Sequence, residues 1–197
     1  SGTPTPSQRS VSPVKASSAA TSTDPCILAL CASRTAGNSV SWWILPTTAD
    51  IGLRAFSIDV PGTFLEATMG LQSIQLSDNG LAALDTLPSS TGEWAVLAPE
   101  GDFERGLVRW LDEVLYRGSA EGQWLVDAVI RIDGDRIEAQ ASWVDSDLVE
   151  REIEVKAVTL HELSLREVAA GEMVSGIEPD IPTFEGPGWM AQVVFDI

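Results

Sequence analysis

Histidine and cysteine are nearly missing from this chain. Its 197 residues hold one histidine, His161, and two cysteines, Cys26 and Cys31. Both cysteines fall in the N-terminal segment, so there is no disulfide framework and no tetrahedral Cys/His zinc site of the usual kind. This usage fits a reducing compartment, and the cytoplasm is the expected location. A lone histidine without a paired nucleophile is poor equipment for covalent catalysis. No serine sits in a Gly-x-Ser-x-Gly elbow, and no Walker-type glycine loop is present. Basic residues are also scarce: 12 Lys and Arg stand against 29 Asp and Glu, for a net charge of −17. Three of the bases (Arg9, Lys15, Arg34) and one acid (Asp24) precede residue 50, so 9 bases and 28 acids remain from Asp50 onward, a net −19. Such a domain repels phosphate backbones, and direct nucleic-acid binding is not expected. A basic protein is the better-matched partner, because complementary charge speeds encounter. The longest apolar run, Cys26 to Ala32, is far too short to cross a bilayer, so no membrane is implied.

What is present is enough for one core. Hydrophobic residues make up 44% of the chain, and a domain of about 150 residues buries roughly 68–70% of its unfolded surface. Residues 1–38 are rich in Ser, Thr, Ala and Pro and nearly free of acids, a composition that sustains no packed core. Serine-rich, acid-poor segments are shared with organellar transit peptides, but three basic residues are few for one. The chain therefore divides into a disordered extension, 1–38, and a domain, 39–197. Deleting 1–38 is expected to leave thermal stability almost unchanged. A loss of about 1 kcal/mol would register as ~2–4 °C in a melting scan, and a larger fall would mean that the extension packs on the domain.

Periodicity supplies the elements. Val40, Trp42 and Ile44 alternate before Pro46, and a second strand covers 50–58. Thr63-Phe-Leu-Glu66 has the form of a capping box, followed by Phe64, Ala67, Leu71 and Ile74 at helical spacing. Residues 78–92, with Asn79-Gly80 and Pro88 to Gly92, read as loop with a short helical turn, and Trp94–Leu97 as strand. Asp102 caps a helix whose apolar face is Phe103, Leu107, Trp110, Leu111, Val114 and Leu115, with Gly118 as its end. Strands follow at 123–132, 136–144, 149–157 and 158–168, with Asp133-Gly134 turning a hairpin. Residues 170–187, with several Gly, Pro and acids, read as an acidic loop. The order predicts a two-layer α+β fold: a mainly antiparallel sheet covered by two helices. Trp42, Trp110 and Trp189 are expected in its core.

The chain closes on a strict alternation. Trp189, Ala191, Val193, Phe195 and Ile197 share one face, and Met190, Gln192, Val194 and Asp196 the other. This predicts a half-buried strand reaching the last residue, with the Asp196 side chain beside the Ile197 α-carboxylate. Two adjacent carboxylates on a rigid element are half of a hard-cation site. Taken alone, the stretch is most simply an ordinary edge strand ending in a solvated acid. A second alternating stretch, Thr47-Thr-Ala-Asp-Ile-Gly-Leu-Arg-Ala55, places Asp50 where a strand begins.

That stretch resembles the His-Thr-Ala-Asp-Ile-Gly signature of the archease family. Three more blocks match in order: Leu107-Val-Arg-Trp-Leu-Asp-Glu-Val-Leu-Tyr116, Glu154-Val-Lys-Ala-Val-Thr-Leu-His161, and Trp189 to Ile197. The resemblance covers about residues 40–197, apart from 170–187, and implies an archease-like fold. It also implies a metal site at Asp50, Asp196 and Ile197, whose all-oxygen donors favour a divalent cation such as calcium. Lys156 belongs to a matched motif. It either snorkels from an apolar strand or balances the carboxylates and meets a partner. His161, in phase with Leu163 and Leu165, is expected to be half-buried and satisfied; its motif makes it a candidate for the site rim or a partner contact. Glu113 is a lesser rim candidate, although Asp112-Glu113 and Asp145/Asp147 also read as plain helix-surface and turn acids. Thr48 occupies the place of the family histidine, and a hydroxyl cannot do an imidazole's work near neutral pH.

The function implied is that of a non-enzymatic activator of the RtcB-type RNA-splicing ligase, promoting its guanylylation and repeated turnover in tRNA splicing or RNA repair. Two rivals use the same residues differently. One is a general protein-binding or chaperone-like module. The other is a metal-dependent hydrolase, which the single histidine and the shortage of cationic groups disfavour.

Overall fold

The computed structural model describes residues 42–45, 50–176 and 183–197. Its elements run β1 Trp42–Leu45, β2 Ile51–Ser57, α1 Val60–Gln75, α2 Asp78–Ala83, β3 Ser89–Leu97, α3 Phe103–Ala120, β4 Gln123–Asp133, β5 Arg136–Asp145, β6 Ala157–Val168, β7 Met173–Val174, β8 Phe184–Glu185 and β9 Gly188–Asp196. Short 3-10 turns follow α2 at Leu84–Thr86 and β5 at Ser146–Leu148. The α+β class and the antiparallel pairing are as expected from the sequence. The strands, however, form two sheets and a hairpin in place of one sheet: β1-β2-β9-β6, β3-β5-β4 and β7-β8. Thr48, both cysteines, residues 1–41 and residues 177–182 lie outside the described residues.

Both larger sheets share one core with two helices. α1 packs on β2 and β4, and α3 packs on β6, β4 and β3. Phe64, Ala67 and Leu71 of α1 meet Leu107, Trp110 and Leu111 of α3, all of them buried. One polar link crosses this apolar contact. The Trp110 indole donates to Thr68 Oγ1 at 2.8 Å, and that hydroxyl donates to the Phe64 carbonyl at 2.7 Å. Thr68→Val keeps the shape and orphans the indole N–H, so it should cost about 1–3 kcal/mol. Urea denaturation at unchanged m-value is the measurement.

β9 is an inner strand, between β2 and β6. Ala191, Val193 and Phe195 face the helices. The opposite face is covered too: Met190 lies in a cluster with Trp43, Leu45, Phe56, Val168 and Val174, and Phe184 of the small hairpin packs against it. The strand is therefore buried on both sides along most of its length, not half-buried. Part of the presumed acidic loop 170–187 supplies that cover through β7 and β8. Gly52 of β2 fits here because a Cβ would stand 2.8 Å from Leu45 Cβ across the β1–β2 ladder.

Four boundaries differ from the sequence reading. α1 starts at Val60, where Asp59 Oδ1 accepts from Gly62 N at 2.7 Å with Pro61 in the first turn, so Thr63 lies inside the helix and caps nothing. β3 begins at Ser89, and the stretch up to Gly92 pairs with Val144 to Ala141. Gly92 is suited to that strand because a Cβ there would press on the Trp143 ring at 2.9 Å. α3 continues past Gly118 to Ala120, and Gly122, with φ of +68°, makes the exit. Residues 149–156 form no regular strand, and β6 begins at Ala157. Glu152 N instead bonds the Gln75 carbonyl at 2.9 Å, which spends this backbone on the end of α1.

Candidate functional site

The β2–β9 register brings the two predicted acids together. Ile51 pairs with Phe195, so Asp50, one residue earlier, stands opposite Asp196, one residue later. On the other side of β9, Ala157 pairs with Asp196. Lys156 follows that ladder outward: its N–H donates to the Asp196 carbonyl at 2.8 Å, and its Nζ donates to Ile197 O at 2.9 Å. Asp50 is half-buried, while Asp196 and Lys156 are exposed. Among the described residues, neither the Asp50 nor the Asp196 carboxylate has a hydrogen-bond or ion-pair partner. One corner of the sheet thus holds Asp50, Asp196, Ile197 and Lys156 on three neighbouring strands.

The donors at this corner are all oxygen, as a hard divalent cation requires. They are also few. Among the described residues, no three His, Cys, Asp or Glu side chains are grouped closely enough to hold a metal ion. The corner offers two side-chain carboxylates, and any further ligand must come from the main chain or water. That set fits a cation that keeps part of its hydration shell.

Two other candidates lie elsewhere. His161 is exposed, not half-buried, because β6 bulges between Thr159 and Ser164 and the bulge breaks the alternation that put it in phase with Leu163. Glu162 in the bulge has φ of +52°, and its carbonyl accepts from Gln192 Nε2 at 3.2 Å. The bulge therefore sits beside Gln192, further along β9 from Asp196. Glu113 bonds Arg117 Nε at 2.6 Å, and the Arg117 guanidinium stacks on Trp94 at 4.6 Å. Glu113 is thus engaged within α3 by Arg117.

Its neighbour, Asp112, is the acid that sequence reading passed over. Burial raises the Asp112 carboxyl above its ordinary range, against the lowering effects of Arg109 and of the hydrogen bond from the Val158 N–H. It borders a cavity of about 400 Å³ between α1, α3 and the segment that carries Lys156. Gln72 and Gln75 of α1 form part of its wall and are both buried. Two buried glutamines one helical turn apart were the available signal, since an amide is a poor choice for a core position.

The archease protein family (MTH1598/TM1083) matches residues 42–197. The chain belongs to that family. "Protein archease" of Thermococcus gammatolerans is 27% identical over 146 residues, covering 71% of this chain and 98% of its own length. "Protein archease" of Thermococcus kodakarensis is 26% identical over 146 residues with the same coverage. The solution structure of protein 1598 of Methanobacterium thermoautotrophicum superposes with a TM-score of 0.51 at 18% identity, over 80% of this chain and 99% of that one, which shows a common fold. The archease match begins at Trp42, the first residue of β1, and runs through β9, so it includes Asp50, Lys156, Asp196 and Ile197. Among the described residues, no helix is long and apolar enough to cross a membrane.

Proposed function

We propose that this archease-family chain is a non-catalytic protein activator of an RtcB-type RNA-splicing ligase, and that it binds a divalent cation, calcium by preference, at Asp50, Asp196 and the Ile197 carboxylate. The observation that carries the reading is the sheet corner. Two carboxylates without partners among the described residues face each other on adjacent strands, with the Lys156 ammonium on Ile197 O at 2.9 Å. An arrangement of like charges is costly unless a cation joins them. Bound there, the cation would supply fixed positive charge and open coordination positions for oxygen ligands. Lys156 would hold Ile197 in place and keep one oxygen oriented. Charge complementarity supports the partner: a domain of −19 is drawn to a basic, nucleotide-binding protein and away from bare RNA.

The test is reconstitution with a purified RtcB-type ligase, RNA ends, GTP and metal. Ligase guanylylation and multiple-turnover joining should rise when the chain is added, and Asp196→Ala and Lys156→Ala should remove most of the stimulation. Unchanged ligase turnover would overturn the assignment. Phosphoester hydrolysis by the isolated chain would favour the hydrolase reading, and stoichiometric binding to unrelated unfolded clients the chaperone-like one.

A further inference from the structure

Among the described residues, the two larger sheets end in four edge strands, and three of these are blunted. β1 is four residues long, with Trp42, Trp43 and Leu45 buried. β4 bulges between Leu125 and Asp127, and its Leu125 carbonyl accepts from Gln72 Nε2 at 3.1 Å. β6 bulges between Thr159 and Ser164, and two acids of α3 take amides on either side of that bulge. Asp112 accepts from the Val158 N–H, and Glu104 Oε1 accepts from the Leu165 N–H at 3.1 Å. Short strands, bulges and covered amides are the usual means of keeping an edge from pairing with another chain.

β3 carries none of these devices. It runs straight against β5 for nine residues, Ser89–Leu97, without a register shift, and it contains no Pro, Lys or Arg. Its phase is fixed just past its end, where the Ala98 N–H donates to the Asp135 carbonyl at 2.8 Å. Alternate residues of an antiparallel strand bond to opposite sides. Trp94 and Val96 therefore bond toward β5, while Thr91, Glu93, Ala95 and Leu97 turn their N–H and C=O groups to the free side. All four are exposed. Among the described residues, nothing donates to or accepts from those backbone groups. Their side chains share one face of the sheet. Glu93 is the only charged residue of the strand, and its Oε1 accepts from Gln140 Nε2 at 2.8 Å. Ala95 and Leu97, the latter 70% exposed, follow it as apolar positions.

We propose that the β3 edge takes an extended segment of the basic protein partner, which adds a strand to the β3-β5-β4 sheet, sets a Lys or Arg against Glu93 and lays apolar side chains beside Ala95 and Leu97. The proposal rests on the partner reading above for the basic character of that segment. In strand addition the main-chain hydrogen bonds supply affinity and alternate side chains supply specificity. An opposite charge across the new ladder is favourable, and a like charge is not. A second copy of this chain fits worse. β3 has no cation to set against Glu93, and two domains of −19 repel each other. β3 also lies in a different sheet from Asp50 and Asp196, so this contact needs no bound cation.

The test uses the full chain and the acetylated, amidated peptide Lys-Val-Lys-Val-Lys-Val-Lys, with Glu-Val-Glu-Val-Glu-Val-Glu as its control. Titration followed by NMR should shift the amides from Thr91 to Leu97. Hydrogen exchange at Glu93 and Ala95, fast in the free chain, should slow in the complex. Ala95→Pro removes an outward N–H that the β5 ladder does not use and should weaken binding about fivefold or more. Glu93→Lys replaces an opposite-charge pair by a like-charge one and should weaken it about threefold or more. The acidic peptide should not bind. Absence of binding by the basic peptide, shifts confined to other elements, or equal affinity in wild type and Glu93→Lys would overturn the proposal. Concentration-dependent shifts of the same amides without peptide would assign the edge to a second copy and overturn it as well. Glu93→Lys is an exposed change, so it keeps the test valid even if Ala95→Pro fails to fold. The two readings fail separately. Peptide binding at β3 without ligase stimulation sinks the ligase assignment alone, and undiminished ligase affinity in Glu93→Lys sinks the edge proposal alone.

Discussion

Phe195→Ala should destabilise the domain by about 3–5 kcal/mol, the usual cost of removing a buried phenylalanine from a packed core. Phe195 is the third residue from the end of the chain, where side chains are normally dispensable. Here it is fully buried in an inner strand, paired with Ile51 of β2 on one side and Val158 of β6 on the other. Truncation to Ala leaves a void in the core shared with α1 and α3, and strands held on both edges cannot collapse far to fill it. Guanidinium titration should show the transition at much lower denaturant with its slope preserved. Asp196→Ala, one residue on and exposed, gives the contrast: its stability change should stay within about 0.5 kcal/mol. A comparably small effect of Phe195→Ala would mean that β9 frays and that the corner it positions is not rigid.

The alternation from Trp189 to Ile197 was legible because a strand's side-chain period survives burial on both faces, although burial itself was not. Met190 and Val194 read as candidates for the outer, wetter face, and nothing local shows that Trp43, Phe56 and Phe184 close over it. The helix of residues 103–120 was legible for the same reason: its apolar face repeats at 3.6 residues. What failed depended on partners distant in sequence. Ser89 to Gly92 carries turn-forming residues, yet β5 offers it a ladder and Trp143 fills the space above Gly92. Val149 to Lys156 looks β-rich, yet the backbone of Glu150, Glu152 and Ile153 is claimed by the end of α1. His161 could not be placed without knowing that β6 bulges. Asp50 and Asp196 were joined through family resemblance, and the β2–β9 register supplies the physical reason they meet. The cavity had no motif at all, because its walls come from two helices, a strand and a loop.

If the Ile197 α-carboxylate is a cation ligand, its value depends on carrying charge at that position. Appending one glycine turns it into a neutral amide carbonyl and moves the charge one residue outward. Calcium affinity should then fall at least about tenfold, since charge count is a main determinant of affinity at oxygen sites. Asp50→Ala and Asp196→Ala should abolish the site by a different route. The core should tolerate the extension: Ile197 is 39% exposed, and the Lys156 Nζ bond can be kept by a carbonyl oxygen. Lys156 would lose only an exposed charged partner, worth about 0–1 kcal/mol, so the metal-free melting temperature should move by no more than ~2–4 °C. Ligase stimulation should fall in step with calcium affinity, because both are assigned to the same corner. Calorimetric titration of the 197-residue chain and its glycine-extended form is the direct measurement. Equal calcium affinity in the two would exclude the Ile197 carboxylate as a ligand. Loss of ligase stimulation at unchanged calcium affinity would instead assign the end of β9 to partner contact, with Lys156 holding a docking group in place of a metal ligand.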